Sequence, residues 1–238
     1  MKSPDTHFFH PDLHAGKHFL LADEAHHAIK VYRAKLGTVL NLCDGKGSFA
    51  KAEIVDIHSN GCEIWIREEP VFQKPKPLLS LAIACLKEEA IQDFVFHATQ
   101  TELDQITFLR TDYSQEPKKS NCQKIIRKAE AKSLVGLKQS KKAWLTSING
   151  PLPFHEWLKS YSGDLIFADI HGVSAANLKA LERNTTLLVG PEGGFSEAEI
   201  QKIQSFQNGA VQSLQLGNSR LRAQTAAIMA VGALLGLL

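Results

Sequence analysis

Apolar and polar residues alternate along the first 70 residues and then stop alternating. "TVLNLCDG" (38–45), "SFAKAEIVDI" (48–57) and "CEIWIREEP" (62–70) carry apolar positions at Ala52, Ile54, Ile57, Cys62, Ile64 and Ile66. A period of two marks strands with one face in a core and one in water. The turns between them hold "GKG" and "SNG", and a helical pattern, "DEAHHAIKVYRA", comes before. A small barrel or twisted sheet is predicted. "VFQKPKPL" (71–78) then brings two prolines, which cannot donate to a sheet ladder, and we set a domain boundary there, at 72/73.

Beyond it the pattern changes. "LLSLAIACL", "QITFLRT", "AWLTSI", "DLIFADI", "TTLLVG" and "VQSLQLG" are apolar runs without a polar face, separated by stretches of helical period. Such strands are covered on both sides, so the expected architecture is a parallel sheet between helices. The helix after "TTLLVG" has a start signal: Ser196 followed three residues later by Glu199 is a capping box. Ile200, Ile203 and Phe206 supply its buried face.

With 238 residues, 44% of them hydrophobic, the chain can bury a sizeable core, and disorder is not expected. Cys43, Cys62, Cys85 and Cys122 form no CxxC pair and fit no zinc pattern. "MKSPDTHFFHPD" has no apolar signal core, and the most apolar segment, 226–238, has 13 residues where a membrane span needs roughly 20. A soluble, cytoplasmic protein with reduced thiols and no membrane partner is expected.

The net charge is only +2, but its distribution is uneven. Segment 118–142 holds nine cations (Lys118, Lys119, Lys124, Arg127, Lys128, Lys132, Lys138, Lys141 and Lys142) against one acid, Glu130. Lys124, Lys128 and Lys132 are four apart and line one helical stripe, which suits a phosphate backbone or simply solvent. His7, His10, His14 and His18 have metal-like spacing, but Pro11 and Gly16 interrupt any helix, so no metal is expected. There is no G-x-S-x-G, HExxH, P-loop or dinucleotide fingerprint.

Two glycine-bearing bends remain. "LLVGPEGGFSEAEI" (187–200) sets Gly190, Gly193 and Gly194 between a strand and a helix, and "LQLGNSRLRAQTAA" (214–227) repeats the design around Gly217. Strand-to-helix bends are where open α/β sheets bind ligands, and glycine lets bare backbone approach one. Arg220 and Arg222 stand beside the second bend, suited to an anion or to holding carboxylates.

Together these stretches resemble the uridine-N3 methyltransferases of small-subunit (16S) ribosomal RNA, in the SPOUT superfamily of knotted methyltransferases. "FFHPDL" and "HHAIKVYRAKLG" resemble that family's opening segments, so the likeness spans essentially the whole chain. It implies an α/β protein with a PUA-like β-barrel that helps hold RNA (1–72) and a parallel-sheet methyltransferase domain with a trefoil knot (73–238). The implied cofactor is S-adenosyl-L-methionine, against Leu188, Gly190, Pro191, Glu192, Gly193, Gly194, Leu216, Gly217, Leu221 and Thr225. The implied catalytic residues are Arg222 and Gln224. Arg33, Lys124, Lys128, Lys132 and Arg220 are expected on the RNA, with the small ribosomal subunit as partner and a homodimer as the assembly. The chain departs from the family's pattern at Ser219 and Arg220, at Gln224 where the family carries glutamate, and at Thr99, Asp104, Ala131 and Lys132. A non-catalytic RNA-binding homologue, a methyltransferase of another RNA base and an ordinary doubly wound nucleotide-binding enzyme therefore stay open.

Overall fold

A computed structural model describes residues 6–68, 74, 78–114, 122–179 and 183–236. The chain divides into two compact units, Met1–Lys74 with Leu137–Leu145, and Pro75–Gly136 with Thr146–Leu238. Residues 69–73 and 75–77, where the sequence set the boundary, lie outside the described residues. A single cut at 72/73 does not anticipate that 137–145 groups with the first unit.

In that unit the alternating segments become β3 (Val39–Cys43), β4 (Phe49–His58) and β5 (Gly61–Ile66), with β1 (His7–Phe9) and β2 (Gly16–Leu21) before them. The sheet order is β1-β3-β4-β5-β2, antiparallel except that β1 runs parallel to β3. Leu40, Leu42, Ala52, Ile54, Ile64 and Ile66 share one core with Phe8 and Leu20. The three-residue step from Ile54 to Ile57 is absorbed by a bulge, which sets Ile57 opposite Cys62. Ile57 nonetheless stays 38% exposed, because it sits near the end of the hairpin. The helical pattern gives α1 (Ala22–His26) and a π-turn, His27–Val31, that bury Ala25 and Ala28. Segment 137–145 is fastened here: Lys138 Nζ donates to Glu24 Oε1, whose other oxygen accepts the Phe9 N–H at 3.1 Å.

The second unit is built on β6 (Leu79–Ala84), α2 (Glu88–Ala98), β7 (Leu103–Arg110), α3 (Cys122–Ser140, whose last turn from Leu137 groups with the first unit), β8 (Ser147–Pro153), α4 (Phe154–Ser160), β9 (Asp164–Val173), β10 (Thr185–Val189), α5 (Glu197–Gln204), β11 (Val211–Leu214) and α6 (Ala223–Leu235). Its six strands are all parallel, in the order β11-β9-β10-β6-β7-β8. Successive β10 side chains feed opposite layers: Leu187 and Val189 pack with residues of α2 and α6, Leu188 with Phe154, Trp157 and Ile203. That two-sided cover explains why the sequence shows no polar face.

The strand expected in "AWLTSI" begins only at Ser147 and runs through Pro151 and Pro153. Those prolines are tolerated because β8 is an edge strand. Among the described residues no helix is long and apolar enough to cross a membrane.

Candidate active site

The first bend leaves the sheet at the carboxyl end of β10. A turn closes with Gly194 N–H donating to Pro191 O at 2.8 Å, and Gly194 takes φ +76, which an L side chain adopts only at a cost. Ser196 then caps α5 with both halves of the expected box in place: its Oγ accepts the Glu199 N–H at 3.3 Å, and Glu199 Oε2 accepts the Ser196 N–H at 2.9 Å. Glu199 is 1% exposed. Its second oxygen accepts the Asp112 N–H at 3.0 Å, while Ser196 Oγ donates to Asp112 Oδ2 at 2.5 Å. The bend is thereby moored to the segment that follows β7.

The second bend follows β11, and Gly217 turns with φ +131. Arg220 ties the bends together: Nε donates to Glu192 O at 3.1 Å, and Nη2 donates to the same oxygen. Between them opens a cavity of about 540 Å³, whose third wall is Phe167–Ile170 in the middle of β9. The size suits one small ligand. Gly190, Pro191, Glu192, Gly193, Gly194, Leu216, Gly217 and Leu221 all line it, so the structure brings most of the expected cofactor residues together; Arg220, expected on the RNA, lines it too, bonded to the Glu192 carbonyl.

Four expected residues stand off the lining. Leu188 is fully buried in the opposite layer, as strand alternation requires. The inward face of α6 is Ala223, Ala227, Ala230, Val231 and Leu234, which leaves Arg222 and Thr225 exposed and Gln224 half-buried. Arg222 sits at the N-cap of α6, beside Leu221 and Ala223 of the wall. The sequence reading missed Ala168, Asp169 and Ile170. The available signal was a polar residue ending the buried run "DLIFADI".

The described lining carries three charged side chains, Asp169, Glu192 and Arg220. It has no lysine, and its one guanidinium is engaged by a carbonyl. The walls are otherwise apolar side chains and bare backbone. Such a site suits a flat, uncharged or cationic group and repels a polyphosphate.

The basic segment is less uniform than its composition. Lys118 and Lys119 lie outside the described residues. Along α3 the helix buries Ile125, Ala129 and Ser133, and Lys124 is exposed while Lys128 and Lys132 are half-buried beside that seam. Lys138 is paired with Glu24, and Lys142 is buried. Arg33 is exposed in the first unit, at φ +54. The imidazoles of His14 and His18 approach to 4.2 Å, and those of His10 and His18 to 5.0 Å. Among the described residues the group with metal-like geometry is instead Asp56, His58 and Glu63, where Lys17 Nζ already pairs with Glu63 at 2.6 Å.

A family model for an RNA methyltransferase domain matches residues 73–235, and one for an RNA methyltransferase PUA domain matches 20–66. Ribosomal RNA small subunit methyltransferase E of Rickettsia conorii is 27% identical over 218 residues, 89% of this chain and 86% of that protein. A protein of the same name from Mesomycoplasma hyopneumoniae is 27% identical over 213 residues, 88% of this chain and 90% of its own. The fold matches a probable rRNA-methyltransferase from Porphyromonas gingivalis (TM-score 0.83, 24% identity, 98% of each chain). It also matches ribosomal RNA small subunit methyltransferase E of Neisseria gonorrhoeae, solved with S-adenosyl methionine (TM-score 0.86, 19% identity, 98% of this chain and 97% of that one). A small β domain followed by a six-stranded parallel sheet, with two bends facing one cavity, and a domain model covering most of the chain lead to one assignment: the chain belongs to the RNA methyltransferase family.

Proposed function

We propose that the protein is an S-adenosylmethionine-dependent methyltransferase that methylates N3 of a uridine in 16S ribosomal RNA. The observation that carries this reading is the chemistry of the cradle. It offers bare backbone to a heterocycle and two carboxylates to a cationic ligand, with no cation free for phosphates. When bound, S-adenosylmethionine supplies a methyl group activated by its sulfonium. Gly190, Gly193, Gly194 and Gly217 let the main chain lie against it, Leu216 and Leu221 close over it, and Arg220 holds the two bends in register.

Uridine N3 carries a proton at neutral pH and must lose it to become a nucleophile. The charge then spreads onto the flanking carbonyl oxygens. Arg222, exposed at the amino end of α6, is the cation assigned to that charge, where one oriented contact is commonly worth about 3 kcal/mol. The positive end of the helix dipole adds to it. Gln224 donates a hydrogen bond to a uridine carbonyl, and having no carboxylate it leaves proton removal to water or another group.

Arg33 and the exposed edge of α3, with Lys124, Lys128 and Lys132, contact the RNA backbone. The enzyme works in the cytoplasm on the small subunit as a homodimer. Ile228 and Met229 on α6, 37% and 47% exposed, offer an apolar face for the second copy. The chain carries a trefoil knot at the bends.

The test is transfer of labelled methyl to small subunits and naked RNA, with nucleoside analysis of the product. Labelled 3-methyluridine is expected, and Arg222→Ala should slow transfer by roughly 100-fold while donor binding persists. RNA binding without label would favour a non-catalytic homologue, consistent with Gln224 in place of the family's glutamate, and a different methylated base would move the enzyme to another target.

A further inference from the structure

We propose that a second pocket in the carboxyl-terminal unit, between Arg110 and Arg127, holds a backbone phosphate of the RNA strand. The proposal rests on the reading of the chain as an RNA methyltransferase. The pocket has a volume of about 500 Å³ and lies between the end of β7, the first two turns of α3 and the Gly150–Pro151 bend of β8. Arg110 is half-buried and Arg127 exposed. Neither guanidinium has an ion pair or side-chain hydrogen bond among the described residues. Glu130, which also lines the pocket, pairs with neither.

A half-buried guanidinium without an acceptor is unfavourable in the free protein, and a second one facing the same space adds repulsion. Both terms are relieved by an anion. A phosphodiester carries one charge and two exposed oxygens, which the planar guanidinium grips bidentately. The first turn of α3 carries no acidic residue to compete.

Location selects RNA over a free anion. Arg110 is two residues from Asp112, whose N–H is bonded to Glu199 and whose carboxylate is bonded to Ser196, at the mooring of the cradle. Both sites therefore open on the carboxyl edge of one sheet. Lys124 and Lys128 continue the cationic path along α3. A strand held by one phosphate here has its neighbouring nucleotides directed to the same edge.

The test is fluorescence anisotropy of the full-length protein with a small-subunit RNA fragment across a salt series, with S-adenosylhomocysteine binding measured on the same samples. Arg110→Ala and Arg127→Ala should each weaken RNA binding on the order of tenfold and make the slope of log K against log salt shallower by about 0.7 to 0.9, with cofactor-product binding unchanged. Lys159→Ala, which removes an exposed cation on α4, should leave both quantities alone. Cys122 lines the same pocket, so bound RNA should slow its alkylation in the wild type.

Wild-type RNA affinity and salt slope in both arginine variants would overturn the assignment, as would an equal loss in Lys159→Ala. Protection of Cys122 by inorganic phosphate at millimolar concentration but not by RNA would make it a free-anion site and overturn it too. A wild type that binds no RNA at all would sink the wider functional reading along with it.

Discussion

Removing the Glu199 carboxylate should loosen the wall of the cradle without touching the cavity's own surface. The carboxylate accepts two main-chain bonds, from the Ser196 N–H at 2.9 Å and the Asp112 N–H at 3.0 Å, while the bond from the Glu199 N–H to the Ser196 hydroxyl is main-chain on its side and survives the substitution. In Glu199→Ala both amides lose their acceptor. Ser196 is buried, so its orphaned N–H carries a desolvation penalty of about 1–3 kcal/mol. Asp112 is exposed and its N–H can return to water, at about 0.5–1.5 kcal/mol. The sum is roughly 2–4 kcal/mol, which for a domain of this size lowers the melting temperature by about 5–15 °C. Glu199→Gln keeps one acceptor but turns an amide N–H toward the other donor, so about half the loss should remain. Differential scanning calorimetry gives the first number, and titration with S-adenosylhomocysteine the second, expected to weaken by on the order of tenfold as the Gly190–Phe195 bend loses its anchor. A melting shift under about 2 °C together with unchanged ligand affinity would refute the mooring.

Three further outcomes are expected. Gly194→Ala meets open space but must hold φ +76, so urea unfolding should report a loss of about 1–2 kcal/mol, whereas Gly193→Ala, with ordinary contact to Tyr113 and no positive φ, should stay within about 0.5 kcal/mol; equal losses would contradict the assigned backbone. Asp169→Asn removes a carboxylate from the cavity wall, so calorimetry should show the sulfonium donor losing roughly three- to tenfold in affinity and the uncharged-sulfur product less; an equal loss would mean the carboxylate does not sense that charge. Burial pushes the Cys43 thiol up to about 12, with Glu24 adding to it, and the Cys62 thiol up to about 11, so iodoacetamide at pH 8 should label partly exposed Cys122 first; comparable labelling of Cys43 would refute its burial.

What the sequence disclosed was what is locally encoded. β3, β4 and β5 were legible because each has one wet face, and the Ser196–Glu199 cap because its partners are three residues apart. The two bends were visible for the same reason, since glycines beside a strand end need no knowledge of the rest of the fold. Long-range placement was not visible. Ala143–Leu145 read as part of a sheet strand, but Trp144 bridges to Lys46 and the segment belongs to the other unit's packing. Lys138 looked like one more solvated cation until Glu24, 114 residues away, was found beside it. The β9 wall depended on strand order, which no single segment specifies. Thr225 and Leu188 lie off the cavity lining by one residue, next to Ala226 and Val189, which are on it.

β10 sits between β6 and β9, and Leu188 pairs with Ala82 from 106 residues earlier. The middle of the sheet must stay open until a strand synthesised much later slides into the gap, and closing so long a loop is entropically slow. The glycine bend hangs from that same strand, so no partly folded species lacking β10 can grip a ligand. Added ligand should leave the refolding rate alone and act only afterwards, by slowing the escape of the finished protein back to the unfolded ensemble.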